Sequence, residues 1–254
     1  MSVRALSLAL CLVAAPSLAQ KAAPGAEVDW AELVVRVTGS GPPDFRAQNP
    51  AHARLAAERS AREDAVKAVL AKVVSLPVAS GQTLGALFPE GPARQALVDL
   101  VRKFRVREKR YYSDHGLQVD VEVPLGMLLA AAVTAPATGE VNSKGEGAFT
   151  GLLVDARGLG CVPHLMPRLV DAGGRVLYGA EWVSPEARTK LGVAAFFTGL
   201  ERASAHPRVG DRPLVIKAAA VKGQDVVLGE EAVRALRGAR NAWLTDGRVG
   251  VVVQ

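Results

Sequence analysis

The sequence predicts an α+β protein of two small modules, each with an antiparallel or mixed sheet packed by helices. Three observations lead there. Stretches that alternate with period two stand beside stretches of period near 3.6, without the long strand–helix series of a parallel fold. Hydrophobic residues make up 49% of the chain, enough for two modest cores. Between them, TAPATGEVNSKGEG loses apolar periodicity and collects Pro, Gly, Ser and charge, so a linker is placed at residues 134–146. The modules are residues 27–133 and 147–254.

The chain opens with MSVRALSLALCLVAAPSLA. Arg4 precedes an apolar run from Ala5 to Ala15, Pro16 breaks it, and Ser17 and Ala19 are small residues three and one positions before a cleavage point. The run is too short to span a bilayer, which takes about 20 apolar residues. Residues 1–19 therefore read as a signal peptide cleaved before Gln20, and the mature chain is expected in the periplasm. Cys11 follows the bulky Leu10 inside the apolar run, which is no lipid-attachment junction. Its removal leaves Cys161 as the only thiol, so no internal disulfide can form and a core must supply the stability.

In the first module Leu33, Val35 and Val37 alternate along a strand whose end the sequence places at TGSGPP. Asn49 as N-cap and Pro50 at the first position start a helix. Its apolar stripe is read as Leu55, Ala56, Val66, Val69, Leu70 and Val73, with Arg54, Glu58, Arg62 and Lys67 outward. A second helix covers 92–104 with Leu97, Leu100, Val101 and Phe104 inward. FRVREKRYY and LQVDVEV form a hairpin around DHG, with Leu117, Val119, Val121 and Val123 on the buried face. Basic residues of the outgoing strand are expected to pair with Asp120 and Glu122. His115 sits in the turn, and Pro124 starts a short apolar helix.

In the second module GAFTGLLVDARGLG supplies a strand ending in a glycine-bounded turn, with Asp155 and Arg157 at its carboxyl end, and LMPRLVDAGGRVLYG is two short strands around the turn Asp171–Gly174. Tyr178 and Trp182 are expected to cover the core. Residues 185–202, including Ala194, Ala195 and Phe196, carry helical signals. RPLVIKAAAV is a strand, VVLGEEAVRALRGARNAW a strand edge and a helix with Glu230 and Glu231 in its first turn, and GRVGVVV the closing strand.

The formal charge is +6, or +5 once Arg4 is removed, with acidic residues interspersed. The densest basic segment is Arg102, Lys103, Arg105, Arg107, Lys109 and Arg110. It lacks any helix-turn-helix or zinc-finger pattern, so no nucleic acid is expected as partner. The four histidines have no HExxH spacing, and Cys161 with His164 lacks the further ligands of a zinc or copper site. GxSxG is absent, and ARGLG is followed by no Lys-Ser or Lys-Thr of a phosphate loop. The reading is non-enzymatic, with no catalytic or metal residues and no cofactor. The alternative kept open is a periplasmic ligand-binding protein or hydrolase using a pocket near Asp155, Arg157 and His164.

Two segments carry a resemblance. ARLAAERSAREDAVKAVLAKV followed by VEVPLG, and TGLLVDARGLG followed by PRLVDAGGRVLYG, resemble the outer-membrane lipoprotein family that includes the flagellar assembly protein FlgP and relatives of a twenty-kilodalton outer-membrane lipoprotein. The resemblance implies an envelope location, an assembly role that is flagellar in some members, and no cofactor. Members commonly carry a lipid anchor, and this chain departs from them at Cys11. The expected partners are envelope proteins or further copies of the chain, with outer-membrane contact made through proteins. The residues expected at such contacts are Asp155, Arg157, Arg105, Arg107 and Lys109.

Overall fold

The computed structural model describes residues 25–79, 81–134 and 136–254; the expected signal peptide, Cys11 and the expected cleavage point before Gln20 lie outside them. The architecture is α+β, with a four-stranded and a seven-stranded sheet each packed by helices. In chain order the first half holds β1 (Glu27–Asp29), β2 (Val34–Gly41), α1 (Pro50–Val73), α2 (Leu84–Leu87), α3 (Pro92–Val101), β3 (Arg105–Tyr111), β4 (Leu117–Pro124) and α4 (Leu125–Ala132). The second half holds β5 (Gly151–Asp155), β6 (Arg168–Val170), β7 (Val176–Tyr178), α5 (Pro185–Leu191), β8 (Ala195–Phe197), α6 (Leu200–Ser204), β9 (Pro213–Lys222), β10 (Asp225–Leu228), α7 (Glu230–Gly238) and β11 (Val249–Val252).

The first sheet is antiparallel throughout, in the order β1-β2-β4-β3. Leu117, Val119, Val121 and Val123 are buried beneath α1, as the alternation of β4 requires. Asn49 caps α1, its Oδ1 accepting from the His52 amide at 2.9 Å, and Pro50 occupies the first turn.

Two details differ from the sequence reading for a single reason. β2 does not stop at TGSGPP but continues through Gly41, and the buried stripe of α1 begins with Ala53, Ala57, Ala61 and Ala65, leaving Leu55 61% exposed. A Cβ on Gly39 would lie 2.2 Å from the Ala61 carbonyl oxygen, and one on Gly41 only 1.8 Å from that of Ala57. The glycines are strand residues chosen for absence of a side chain. They let the helix backbone settle so closely on β2 that only alanine fits between.

The second sheet has the order β7-β6-β10-β9-β5-β11-β8. β9, β5, β11 and β8 are parallel to one another, and β10 returns antiparallel to β9. β6 and β7 form the expected hairpin around Asp171–Gly174. The helical reading of 185–202 is corrected: α5 ends at Leu191 because Gly192 takes φ +67°, after which 195–197 are strand and 200–204 helix. Ala195 and Phe196 thus serve a fully buried edge strand.

The apolar interiors of the two halves are continuous. Leu165 and Met166 amides donate to the Pro77 and Val78 carbonyls at 2.9 and 3.0 Å. The Phe196 amide donates to the Trp30 carbonyl, with their rings edge-on at 6.2 Å. Arg188, fully buried, donates to the Val133 carbonyl at 2.7 Å. Residues 138–146 run as a strap over the second half, the amides of Thr138 and Gly139 both donating to the Glu181 carbonyl.

Candidate interaction surface

Period-two alternation places the even-numbered residues of β2 and β4 on the side of the first sheet away from α1, and there they form a charge ladder. Arg110 grips Asp120 with both guanidinium nitrogens, Nη2 donating to Oδ1 at 2.8 Å, while Thr38 Oγ1 donates to the same oxygen at 2.6 Å. The Arg110 hydrogen bonds hold the Asp120 carboxyl below the usual range and raise the guanidinium in turn. One row along, Arg36 bridges Glu122 at 3.2 Å and Asp29 at 2.8 Å, and Arg107 lies 3.9 Å from Glu122. The pairing of β3 bases with Asp120 and Glu122 is the arrangement the alternating sequence implies.

Of the basic residues picked from sequence, Arg105 and Arg107 are exposed on β3, while Lys109 turns toward α1 and meets Glu58 at 2.7 Å. A register shift between Val106 and Glu108 separates them. Arg102 reaches back to Glu63 with bonds of 2.6 and 3.0 Å. Much of the basic segment is therefore neutralised within the molecule. What stays open is the outer edge of β3, which has no strand partner among the described residues.

Asp155 and Arg157 sit at the carboxyl end of β5 as a self-contained pair. The guanidinium donates to both carboxylate oxygens, at 2.8 and 2.7 Å, and the Arg157 amide adds a third bond at 3.2 Å. These bonds lower the Asp155 carboxyl to about 2. His164 lies elsewhere in character: it is buried, its Nδ1 is 2.8 Å from the Val162 carbonyl oxygen, and its ring stacks obliquely on Phe196 at 5.5 Å. Burial pushes its pKa down, and burial pushes the Cys161 thiol up. The structure thus puts His164 in the core and the Asp155–Arg157 pair at the surface.

Sequence reasoning missed a cleft of about 500 Å³ beneath the strap. Leu177, Leu236 and Leu244 line it along with Trp182, and Arg175, Arg237 and Glu140 supply charge. Buried Asn241 fixes the strap, accepting from the Asn142 amide at 2.6 Å and donating to the Leu236 carbonyl at 3.1 Å. Asn142 Nδ2 donates to the Arg237 carbonyl, and Trp182 Nε1 to that of Glu140. The only local signal was the pair of asparagines, which lie 99 positions apart.

Among the described residues no group of three or more His, Cys, Asp or Glu is placed to hold a metal ion. No helix among them is long and apolar enough to cross a membrane.

Residues 151–254 match the family model described as the second domain of Treponema pallidum Tp0624. The match begins at the first residue of β5 and takes in the whole seven-stranded sheet. No curated protein matches the chain.

Proposed function

We propose that the chain is a non-enzymatic structural or assembly module of the cell envelope, exported by residues 1–19 and docked to protein partners or to further copies of itself along β3. The observation that carries this reading is the open outer edge of β3, seven residues long, beside a sheet face whose charges are matched internally. Arg105 and Arg107 are exposed on this strand, and charged side chains on an edge strand discourage addition of a neutral strand. An acidic partner surface is the complement. The sequence resemblance to envelope assembly lipoproteins points the same way, with flagellar assembly one of the machines such a module serves. The recurrence of the second half as a domain in another protein suits a modular component.

The test is light scattering of the chain from Gln20 onward, together with co-purification from fractionated envelopes. Arg105→Glu with Arg107→Glu is expected to abolish self-association or partner recovery. Unchanged recovery in this variant, or a monomer that brings down no envelope protein, would overturn the reading.

A ligand-binding reading is favoured by one observation, the cleft under the strap, where Arg175 and Arg237 line the wall together with Leu177 and Leu236. Leu177→Trp, which fills the cleft, would block any ligand there; partner recovery that survives this change separates the two readings.

A further inference from the structure

A second surface lies where the end of β2, the first turns of α1 and the β3–β4 hairpin meet. Gly41 stands opposite Leu117, and Leu117 opposite Tyr111, so residues 42–49 leave the sheet beside the hairpin tip. Lys109 contacts Glu58, so the first turns of α1 lie alongside β3, and Leu55 is exposed one turn before Glu58. Of the eight large apolar side chains exposed among the described residues, Phe45, Leu55, Tyr111 and Tyr112 all belong to this end. Phe45 is 85% exposed on its loop.

Arginines interleave with them. Arg46 follows Phe45, and Arg54 and Arg59 flank Leu55; none of the three forms an ion pair among the described residues. Of the eight Arg and Lys in residues 44–62 and 105–114, Arg62, Arg107, Lys109 and Arg110 are paired with Glu58, Glu122 or Asp120, and Arg105 joins Arg46, Arg54 and Arg59 in forming no ion pair among the described residues. Asp44 and Asp114 spend an oxygen each on turn amides, of Arg46 and Gly116.

We propose that this tip docks on an anionic lipid surface, with Phe45, Leu55 and Tyr111 entering the headgroup layer and Arg46, Arg54 and Arg59 meeting lipid phosphates. Single apolar side chains projecting from separate segments suit a fluid interface, which closes around each one. A protein partner would instead need them gathered in one desolvated pocket. Arginine is suited to the rim, since its stem lies along acyl carbons while the guanidinium stays with phosphate. The proposal is independent of docking along β3.

The experiment is co-sedimentation of the chain from Gln20 onward, which keeps every described residue and lacks the apolar segment 5–15. The vesicles are phosphatidylcholine alone, or with about a third phosphatidylglycerol. Binding is expected only to the anionic vesicles and to weaken with salt. Phe45→Ser with Leu55→Ser, and separately Arg46→Glu, Arg54→Glu and Arg59→Glu together, are each expected to reduce it about tenfold or more. Both variants change exposed positions, and unaltered circular dichroism confirms the fold. Absent binding by the parent chain, equal binding to neutral vesicles, or variants that bind like the parent would each overturn the proposal.

Discussion

Replacing Gly41 by alanine tests how α1 is seated on the first sheet. The added Cβ would stand 1.8 Å from the Ala57 carbonyl oxygen, 2.7 Å from its carbon and 3.0 Å from the Ala61 amide nitrogen. Carbon–oxygen contacts settle near about 3.3 Å, so the helix would have to retreat by about 1.5 Å at that point. All three obstructing atoms are backbone, and no rotamer change relieves them. Retreat also loosens the Ala53, Ala57, Ala61 and Ala65 contacts. Overpacking typically costs about 1–3 kcal/mol, and a backbone clash belongs at the upper end, about 3 kcal/mol. For a chain of this size that lowers Tm by about 6–12 °C. Gly41 is not a positive-φ residue, so the cost is steric and not conformational. Urea unfolding followed by circular dichroism would measure it. Gly238→Ala, where nothing lies within 4 Å, is the control and should be neutral or slightly stabilising. Ala57→Gly should not rescue Gly41→Ala, because the clash is with a carbonyl. A loss below about 0.5 kcal/mol for Gly41→Ala, or rescue by Ala57→Gly, would refute this packing argument.

Tyr178 is fully buried and its hydroxyl donates to the Val193 carbonyl at 2.6 Å; Tyr178→Phe should cost about 1–2 kcal/mol in urea, and an unchanged midpoint would show that the bond contributes nothing. Burial holds the His164 pKa below the ordinary imidazole value of about 6.5, so its contribution is fully present above about pH 6.5 and falls as the pH drops below that, where the unfolded state takes up the proton first. His164→Leu should remove that part of the acid destabilisation; equal slopes in both proteins between about pH 6.5 and 5 would contradict the assignment. The Asp155 carboxyl should titrate at about 2 by NMR and return toward 3.8 in Arg157→Ala, with no return if Arg157 is not the cause. Because the Arg157 guanidinium is nearly half exposed and solvent screens the pair, Asp155→Asn should move stability by less than about 1 kcal/mol in the same urea assay.

The elements that a sequence reveals here are those with a period. β4 was plain from Leu117, Val119, Val121 and Val123, and its charged partner face from Asp120 and Glu122. The α1 cap was legible because Asn49–Pro50 has a local mechanism. The buried side of α1 was not, since alanine carries little hydrophobic signal and its selection depends on Gly39 and Gly41, which read locally as turn residues. The seven-stranded order was illegible for a different reason: it brings β11 between β5 and β8, a choice made by long-range pairing. β8 is three buried residues after a helix end, too short to show a period. The candidate surface was half visible. Arg105 and Arg107 were picked as surface residues, whereas the inward turn of Lys109 needed the register shift in β3, and the strap cleft needed Asn142 and Asn241 brought together.

The central claim is that β3 is where the chain meets other proteins. A photo-crosslinking residue placed at Arg105 or Arg107, with Leu191 as an exposed position in the other half, measures this directly in intact envelopes. The account predicts discrete higher-mass adducts from 105 and 107 upon illumination, and none from 191. An absence of adducts at both β3 positions, or the same adducts from 191, would contradict it.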